Sequence, residues 1–424
     1  MNVARGAVSA GRMRAWRVHA YGAGTEELRL ESARVPPLRA PDQLLVRVRT
    51  ASINPLDVAM LGNTTHHLHT RCVLWSPASL YTFKHMSAGG YGSRILNTLR
   101  TLDGTELEFP LVPGRDFAGE VVAAGAGCRR RVGERVWGVV PPHRPGSHAD
   151  YVTVRERWTG LAPLALSDEE AGGALYAALS ACAALRAGGL PPGRRARRPP
   201  RVLLLGLGGV GHAALQLLVD AGAESFNRHY NYKEYFINNV NVSAPRQVIV
   251  GCSADLCERA TSLGAAAALD RSSADYDRLL EESGPYEVIV DCAGVGGSEA
   301  GTRRWRFSRF VTLSSPLLRL TDARGLLGGG CAAAARLLAD GLSAARTAPA
   351  PSACPPHVRW AFFTPSADDI DMLHRLAERG RLSVCVERVF PWWEGVAAYE
   401  RAARGGARGK LVLDFTAERT VSSC

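Results

Sequence analysis

Arg201-Val-Leu-Leu-Leu205-Gly206-Leu-Gly208-Gly209-Val210-Gly211-His-Ala-Ala-Leu215 decides the fold of the carboxyl-terminal half of this chain. Four consecutive apolar residues, 202–205, read as a strand buried on both faces. Glycines follow at once, and then apolar residues at helical spacing, so the stretch predicts strand, tight turn and a helix over Val210–Ala221. Each glycine has a separate task in a dinucleotide-binding turn. Gly206 permits the turn itself, Gly208 lets the backbone approach a pyrophosphate, and Gly211 allows the helix to pack closely on the strand. The helix start then offers unpaired N–H groups and partial positive charge to phosphates. Gly206, Gly208, Gly209, Val210 and Gly211 are therefore candidate cofactor-binding residues.

Outward from this turn, apolar strands are expected at Gln247–Gly251, Glu287–Asp291 and Phe310–Leu313, with helical segments between them. Strands alternating with helices predict a doubly wound parallel sheet. Upstream, from Met13 to about Asp150, short apolar runs are cut by Gly and Pro. Arg14–His19, Gln43–Val48, Gly119–Ala124 and Arg135–Val139 are of this kind, and they predict an antiparallel, barrel-like domain. Ser167–Ala187 reads as a helix. Beyond Pro356 the expected order is helix Ser366–Arg379, strand Val384–Phe390, helix Trp393–Arg404 and strand Lys410–Phe415. The fold class is thus α/β, a β-barrel domain plus a doubly wound parallel sheet.

With 46% apolar and 21% charged residues, the 424-residue chain has the composition of a folded protein of two or three domains. Its net charge of +11 is carried almost wholly by arginine. The densest basic run, Arg194 to Arg201, is flanked by prolines and lacks interleaved aromatics, so it reads as a solvated linker and not as a nucleic-acid surface. Ten cysteines without a CxxC pair point to reduced thiols in place of a disulfide framework. No uninterrupted apolar stretch reads as a transmembrane segment. The first 25 residues carry Arg5, Arg12, Arg14 and Arg17 without an acidic residue, which suits a mitochondrial presequence over 1–12.

Two segments stand apart in composition. Residues 63–88 hold four of the eleven histidines, and 224–246 hold five of the nine asparagines. The chain has only three lysines, Lys84, Lys233 and Lys410, and two of them fall in these segments. Both segments read as late insertions or as mispredicted exons, and where present they are expected to be exposed, mobile loops. Spacing agrees for the second. Ser253 lies 42 residues beyond Gly211, and 19 once 224–246 is set aside, which is the usual distance to the ribose-binding position. The strand ends Gly251-Cys252-Ser253 with no carboxylate at that position. That leaves room for a 2′-phosphate, which Arg271 would pair with, so NADPH is expected over NADH; Asp255 and Arg259 lie near enough to compete for these roles.

Asn54-Pro55-Leu-Asp57, Pro110-Leu-Val-Pro-Gly114-Arg-Asp116-Phe-Ala-Gly119, Gly133-Glu-Arg-Val136 and Gly409-Lys410-Leu-Val resemble conserved segments of the quinone oxidoreductases. These are zinc-free members of the medium-chain dehydrogenase/reductase superfamily. Val136-Trp-Gly-Val-Val-Pro-Pro142, Val311-Thr-Leu313 and Arg359-Trp-Ala-Phe-Phe363 are similar to the mitochondrial reticulon-interacting members of that group. The resemblance runs from Met13 to Phe415 outside the two odd segments. It implies a GroES-like substrate domain at 13–164, a Rossmann NADPH-binding domain at 165–357 and a return to the substrate domain at 358–424. It also implies a reductase of the mitochondrial matrix linked to ubiquinone biosynthesis, with a quinone or enone substrate, a reticulon-type protein partner, and a monomeric or homodimeric state. One departure is the phosphate loop, GLGGVG here, where relatives carry a longer GxSGGVG.

Zinc members hold their metal with a Gly-His-Glu segment and cysteines. Here Gly114-Arg115-Asp116 stands in that place, and no metal site is expected. Asn54 is the candidate for orienting nicotinamide or substrate. Asp57 reads as the residue that holds this loop in shape, with proton transfer as its other reading, and Tyr91 is a candidate proton donor. Leu313, Ala361 and Phe362 are expected to line the nicotinamide pocket. Three activities stay open: a quinone or conjugated-carbonyl reductase, an enoyl reductase, and a cofactor-binding scaffold without turnover. Since ligands bind beyond the carboxyl ends of strands and 224–246 precedes a strand, deleting 224–246 should leave NADPH affinity unchanged in a fluorescence titration.

Overall fold

The computed structural model describes residues 11–22, 24–62, 92–104, 108–190, 192, 200–229, 248–347 and 355–419. The first odd segment, most of the second, the run Arg194–Arg198, and Tyr91 lie outside the described residues. The chain divides into two units: 1–176, 317–330 and 365–424 form the first, and 177–316 with 331–364 the second.

The strands β1 (Arg12–Arg17), β2 (Arg29–Arg34), β3 (Gln43–Ile53), β4 (Asp116–Ala124), β5 (Arg135–Val139), β6 (Tyr151–Arg155) and β7 (Thr159–Leu161) belong to the first unit. The second unit contributes β8 (Val202–Leu205), β9 (Val248–Cys252), β10 (Ala267–Asp270), β11 (Tyr286–Asp291), β12 (Phe307–Thr312) and β13 (His357–Trp360). The chain then returns to the first unit with β14 (Val386–Pro391) and β15 (Lys410–Asp414).

In the first unit the spine is β3. Its alternation Val46-Arg47-Val48-Arg49 buries both valines and exposes both arginines, the period-2 signature of a half-buried strand. It pairs antiparallel with β4, β6 and β15, within a seven-stranded sheet of order β14-β15-β3-β4-β5-β7. The sequence predicts this strand to stop at Val48, yet it runs on to Ile53. The extra residues Thr50–Ile53 pair with Asp414–Leu411, a partner that no local window contains. β1 and β2 make a separate two-stranded ribbon. β1 begins at Arg12, so the folded body takes in the last residue of the expected presequence 1–12.

In the second unit six parallel strands lie in the order β10-β9-β8-β11-β12-β13. β8 and β9 are buried along their whole length, as a sheet covered on both faces requires. The order reverses between β8 and β11, which creates the crevice where such sheets bind ligands. The helix after the phosphate loop covers Gly209–His229, eight residues beyond its expected end and into the expected insertion. The return to the substrate domain is expected from 358; β13 pairs in parallel with β12, from Arg309↔His357 to Thr312↔Trp360, and the second unit extends to Thr364. Among the described residues no helix is long and apolar enough to cross a membrane.

The core of this sheet gathers Leu203, Leu205, Ile249, Ile289 and Phe310 with Trp305 and Tyr286. Ile289 is fully buried in β11 between β8 and β12. Ile289→Ala should cost about 2–5 kcal/mol, read as a lowered denaturant midpoint at unchanged m-value.

Candidate functional site

The phosphate loop can be tested glycine by glycine. Gly206 has φ +94°, a conformation that side chains rarely adopt, and its N–H donates to Gly251 O at 2.7 Å. A Cβ on Gly211 would stand 2.0 Å from Gly206 O, so only glycine lets the helix start so close to the strand. A Cβ on Gly208 would meet nothing within 4 Å. Gly208 is exposed with Gly209 at the start of a 21-residue helix, and Val210 is half-buried behind them. The loop thus combines a tight turn, close packing and an open approach at a helix N-terminus, the requirements of a pyrophosphate cradle.

The next two strands bring the ribose-side residues together. Asp270 pairs with Cys252 across β10 and β9, and Arg271 N–H donates to Cys252 O at 2.8 Å. Ser253 and Arg271 therefore follow directly on two adjacent, parallel strand ends, Ser253 half-buried and Arg271 exposed. Asp270, which closes β10, accepts the N–H and hydroxyl of Ser272. Those hydrogen bonds hold its carboxyl below the usual range.

At the switch point the structure places a residue that the sequence reading used only as a strand end. Asp291 is fully buried. Its Oδ1 accepts the N–H groups of Ala293, Gly294 and Val295 at 2.8–3.1 Å. Its Oδ2 accepts Gly296 N–H and the Thr312 hydroxyl at 2.8 and 2.7 Å. One carboxylate thereby shapes the whole turn after β11, and that turn packs against Gly206, whose added Cβ would lie 3.0 Å from Ala293 Cβ. The signal was present in the sequence as an acidic residue closing an apolar strand before Gly294-Val-Gly-Gly297. Half-buried Leu313 follows β12, and Ala361 and exposed Phe362 follow β13, so all three lie at the carboxyl edge of the same sheet.

The first unit carries a second constellation, almost entirely buried. Asp57 Oδ2 accepts Asn54 N–H and Oδ1 accepts Gly114 N–H, both at 2.8 Å. Arg115 Nε lies 3.4 Å from Asp57 Oδ1, and the rest of its guanidinium donates to the carbonyls of Pro141, Arg144 and Val112. Asp116 Oδ1 accepts the Ser52 hydroxyl at 2.6 Å and Asn54 Nδ2 at 3.0 Å. Lys410 Nζ donates to Asn54 Oδ1 at 2.7 Å and lies 3.7 Å from Asp116 Oδ2. Burial pushes the Asp116 carboxyl up, with Lys410 pulling against it. His148 Nε2 donates to Ser52 O and its Nδ1 accepts the Tyr399 hydroxyl; burial lowers its pKa and keeps the ring neutral.

This geometry bears on two of the candidate residues. Asn54, read as the group that orients nicotinamide or substrate, is 2% exposed. Its amide is committed to Asp116, Ser52 and Lys410. Asp57, offered as a catalytic candidate and as the residue that holds its loop, is fully buried and accepts N–H groups from Asn54 and Gly114. Lys410, quoted in the sequence only as part of a terminal motif, is the residue that completes the network. Its signal was composition: it is the one lysine outside the two odd segments.

Gly211→Ala should weaken binding of a nicotinamide dinucleotide by at least about tenfold, or 1.4 kcal/mol, in a fluorescence titration, because the added methyl overlaps Gly206 O.

Residues 263–413 match the family described as zinc-binding dehydrogenase, and residues 83–165 match the alcohol dehydrogenase GroES-like domain. Among curated relatives, the mitochondrial NAD(P)H oxidoreductase RTN4IP1 of Drosophila melanogaster is 33% identical over 420 residues, 97% of this chain and 88% of its own. Its counterpart in Homo sapiens is 28% identical over 413 residues, covering 95% and 89%. The fold is similar to that of the quinone oxidoreductase from Coxiella burnetii, with a TM-score of 0.65, 20% identity, and coverage of 95% of this chain and 99% of the other. With a GroES-like domain, a parallel Rossmann sheet carrying its glycine turn, and this likeness over nearly the whole length, the chain belongs to the medium-chain dehydrogenase/reductase superfamily and, within it, to the family of the RTN4IP1 oxidoreductases.

Proposed function

We propose that this chain is an NAD(P)H-dependent oxidoreductase that prefers NADPH and reduces a quinone or a conjugated carbonyl without zinc. The observation that carries the reading is the glycine turn: a positive-φ Gly206, a closely packed Gly211 and an open Gly208 at a helix start beside the strand-order reversal. Bound there, the nicotinamide coenzyme supplies a hydride. Gly208, Gly209 and the first turn of the helix would hold its phosphates. Ser253 and Arg271 would hold the adenosine ribose, with Arg271, exposed just beyond the end of β10, set to pair a 2′-phosphate. Leu313, Ala361 and Phe362, on neighbouring strand ends, are proposed to line the nicotinamide side.

Zinc does not suit the donor set at 114–116. The Arg115 guanidinium fills the place of a histidine ligand and is spent on three carbonyls. Asp116 Oδ1 is taken by Ser52 and Asn54. Among the described residues no group of three or more His, Cys, Asp or Glu converges as metal ligands would. With Arg115 beside them, the positive charge of this region is built into the chain.

The RTN4IP1 relatives of insects and mammals are mitochondrial by name, and that of Caenorhabditis elegans is a reticulon-4-interacting protein. The proposal extends to a mitochondrial location, a reticulon-type partner and a step in ubiquinone biosynthesis.

Titration of the purified protein with NADPH and NADH, followed by addition of a short-chain quinone, tests the reading. NADPH should bind more tightly and be oxidised. Arg271→Ala should erase that preference by weakening NADPH about tenfold, the worth of one charge-assisted contact, while leaving NADH affinity in place. Binding without turnover on any quinone or enone would favour a cofactor-binding scaffold.

A further inference from the structure

Gly251-Cys252-Ser253-Ala-Asp-Leu-Cys257 runs from the end of β9 through the short turn Ala254–Leu256 into the helix Cys257–Ser262. The fold brings the two sulphurs of this stretch to 3.8 Å from each other, a thiol–thiol contact. The Cys257 thiol also reaches back to Ser253 O at 3.7 Å. Cys252 is 1% exposed, whereas Cys257 is only half-buried, so of the two it is Cys257 that keeps accessible surface. Burial, with the neighbouring sulphur, pushes the Cys252 thiol up to about 12. Cys252 therefore keeps its proton at neutral pH and is not the sulphur that opens an attack. Both cysteines lie in the second unit, as do Ser253 and Arg271.

The two ends of this contact are held unequally. Cys252 is fixed by the sheet, because β9 lies between β8 and β10 and Arg271 N–H donates to Cys252 O at 2.8 Å. Cys257 opens a helix of six residues, and the chain enters that helix through a three-residue turn. That turn starts at Ser253, whose carbonyl accepts Leu256 N–H at 2.9 Å. A disulfide needs its sulphurs about 2.05 Å apart. Closing the contact that far draws on the turn, and the turn carries Ser253 with it.

Resting on the cofactor reading above, we propose that Cys252 and Cys257 form a redox modification site: a peroxide joins them in a disulfide, and the bond displaces Ser253 and weakens binding of the nicotinamide dinucleotide. In the first step the Cys257 sulphur attacks one peroxide oxygen. An S–O bond forms, the O–O bond breaks, and the leaving hydroxide takes up the Cys257 proton as water. In the second step the Cys252 sulphur attacks the Cys257 sulphur. The S–S bond forms, the S–O bond breaks, and the departing hydroxide takes the Cys252 proton as a second water. Two thiols have then lost two electrons to the peroxide, and a dithiol reverses the change by exchange. Because the coupling is reciprocal, bound nucleotide disfavours the disulfide by the same factor that the disulfide disfavours the nucleotide.

The test uses the full-length protein, reduced, treated with hydrogen peroxide and then freed of it. Trypsin releases Gln247–Arg259, a peptide that holds both cysteines. This peptide should emerge two hydrogens lighter and closed to alkylation, and dithiothreitol should reverse both changes. The oxidised protein should bind NADPH at least about tenfold more weakly, and dithiothreitol should restore the affinity. Cys257→Ser, or Cys257→Ala where serine disturbs the turn, should bind NADPH as the reduced wild type does and keep that affinity through the peroxide. A peptide that retains two free thiols overturns the proposal and leaves the cofactor reading standing. The same holds for sulfinic acid on Cys257 beside a free Cys252 thiol, and for a disulfide formed at unchanged NADPH affinity. A Cys257 variant that loses affinity on oxidation as the wild type does places the effect at another residue, and the proposal falls. Reduced protein that binds neither NADPH nor NADH takes down the cofactor reading, and the effect claimed for the bond with it.

Discussion

A carboxylate taken out of water has to be given donors or a counter-charge, and in the first unit that requirement binds three distant pieces of chain into one cluster. Asp57 and Asp116 are both fully buried. Between them they draw in Ser52 and Asn54 from the end of β3, Gly114 and Arg115 from the entry to β4, and Lys410 from the start of β15. Two basic side chains face two acidic ones, so their formal charges balance within the cluster. Removing one partner would leave a buried charge uncompensated, which costs about 3–5 kcal/mol in measured cases. A cluster of this kind holds its members in register more firmly than any loop could, and this is why the turn at Asn54-Pro55 has a defined shape.

The second unit works under a different constraint, the steric one of bringing a backbone close to a ligand. Its glycines are not interchangeable. One accepts a backbone conformation that side chains avoid, one removes an atom that would overlap a carbonyl, and one leaves space outside. The parallel sheet then sets the positions of everything else, because each strand delivers its last residues to the same edge. Ser253 and Arg271 come together through the β9–β10 register.

The doubly wound sheet was legible in the sequence because its strands are short, apolar and separated by helices, and because the glycine spacing names the turn. β5 matches its expected limits and β4 starts three residues early. What stayed hidden were pairings between remote segments. The extension of β3 to Ile53 depends on a strand that arrives some 360 residues later, and β13 looked like part of the returning domain until its parallel partner was seen. The reading of Asn54 failed to anticipate its committed amide for the same reason: its partners Asp116 and Lys410 lie 62 and 356 positions away. Compositional bias carried information that motif matching missed, since one lysine among arginines marked the most demanding basic site.

Asp291 carries a further consequence. Its five hydrogen bonds fix the turn from Cys292 to Gly296 from within the chain. The conformational entropy of that turn, about 1–2 kcal/mol for each backbone residue ordered, is therefore surrendered when the chain folds and not when a ligand arrives. Association at this edge of the sheet then takes place on a rigid surface. Its calorimetric signature should reflect surface burial and solvent release, with little of the unfavourable entropy that accompanies a loop ordering on contact.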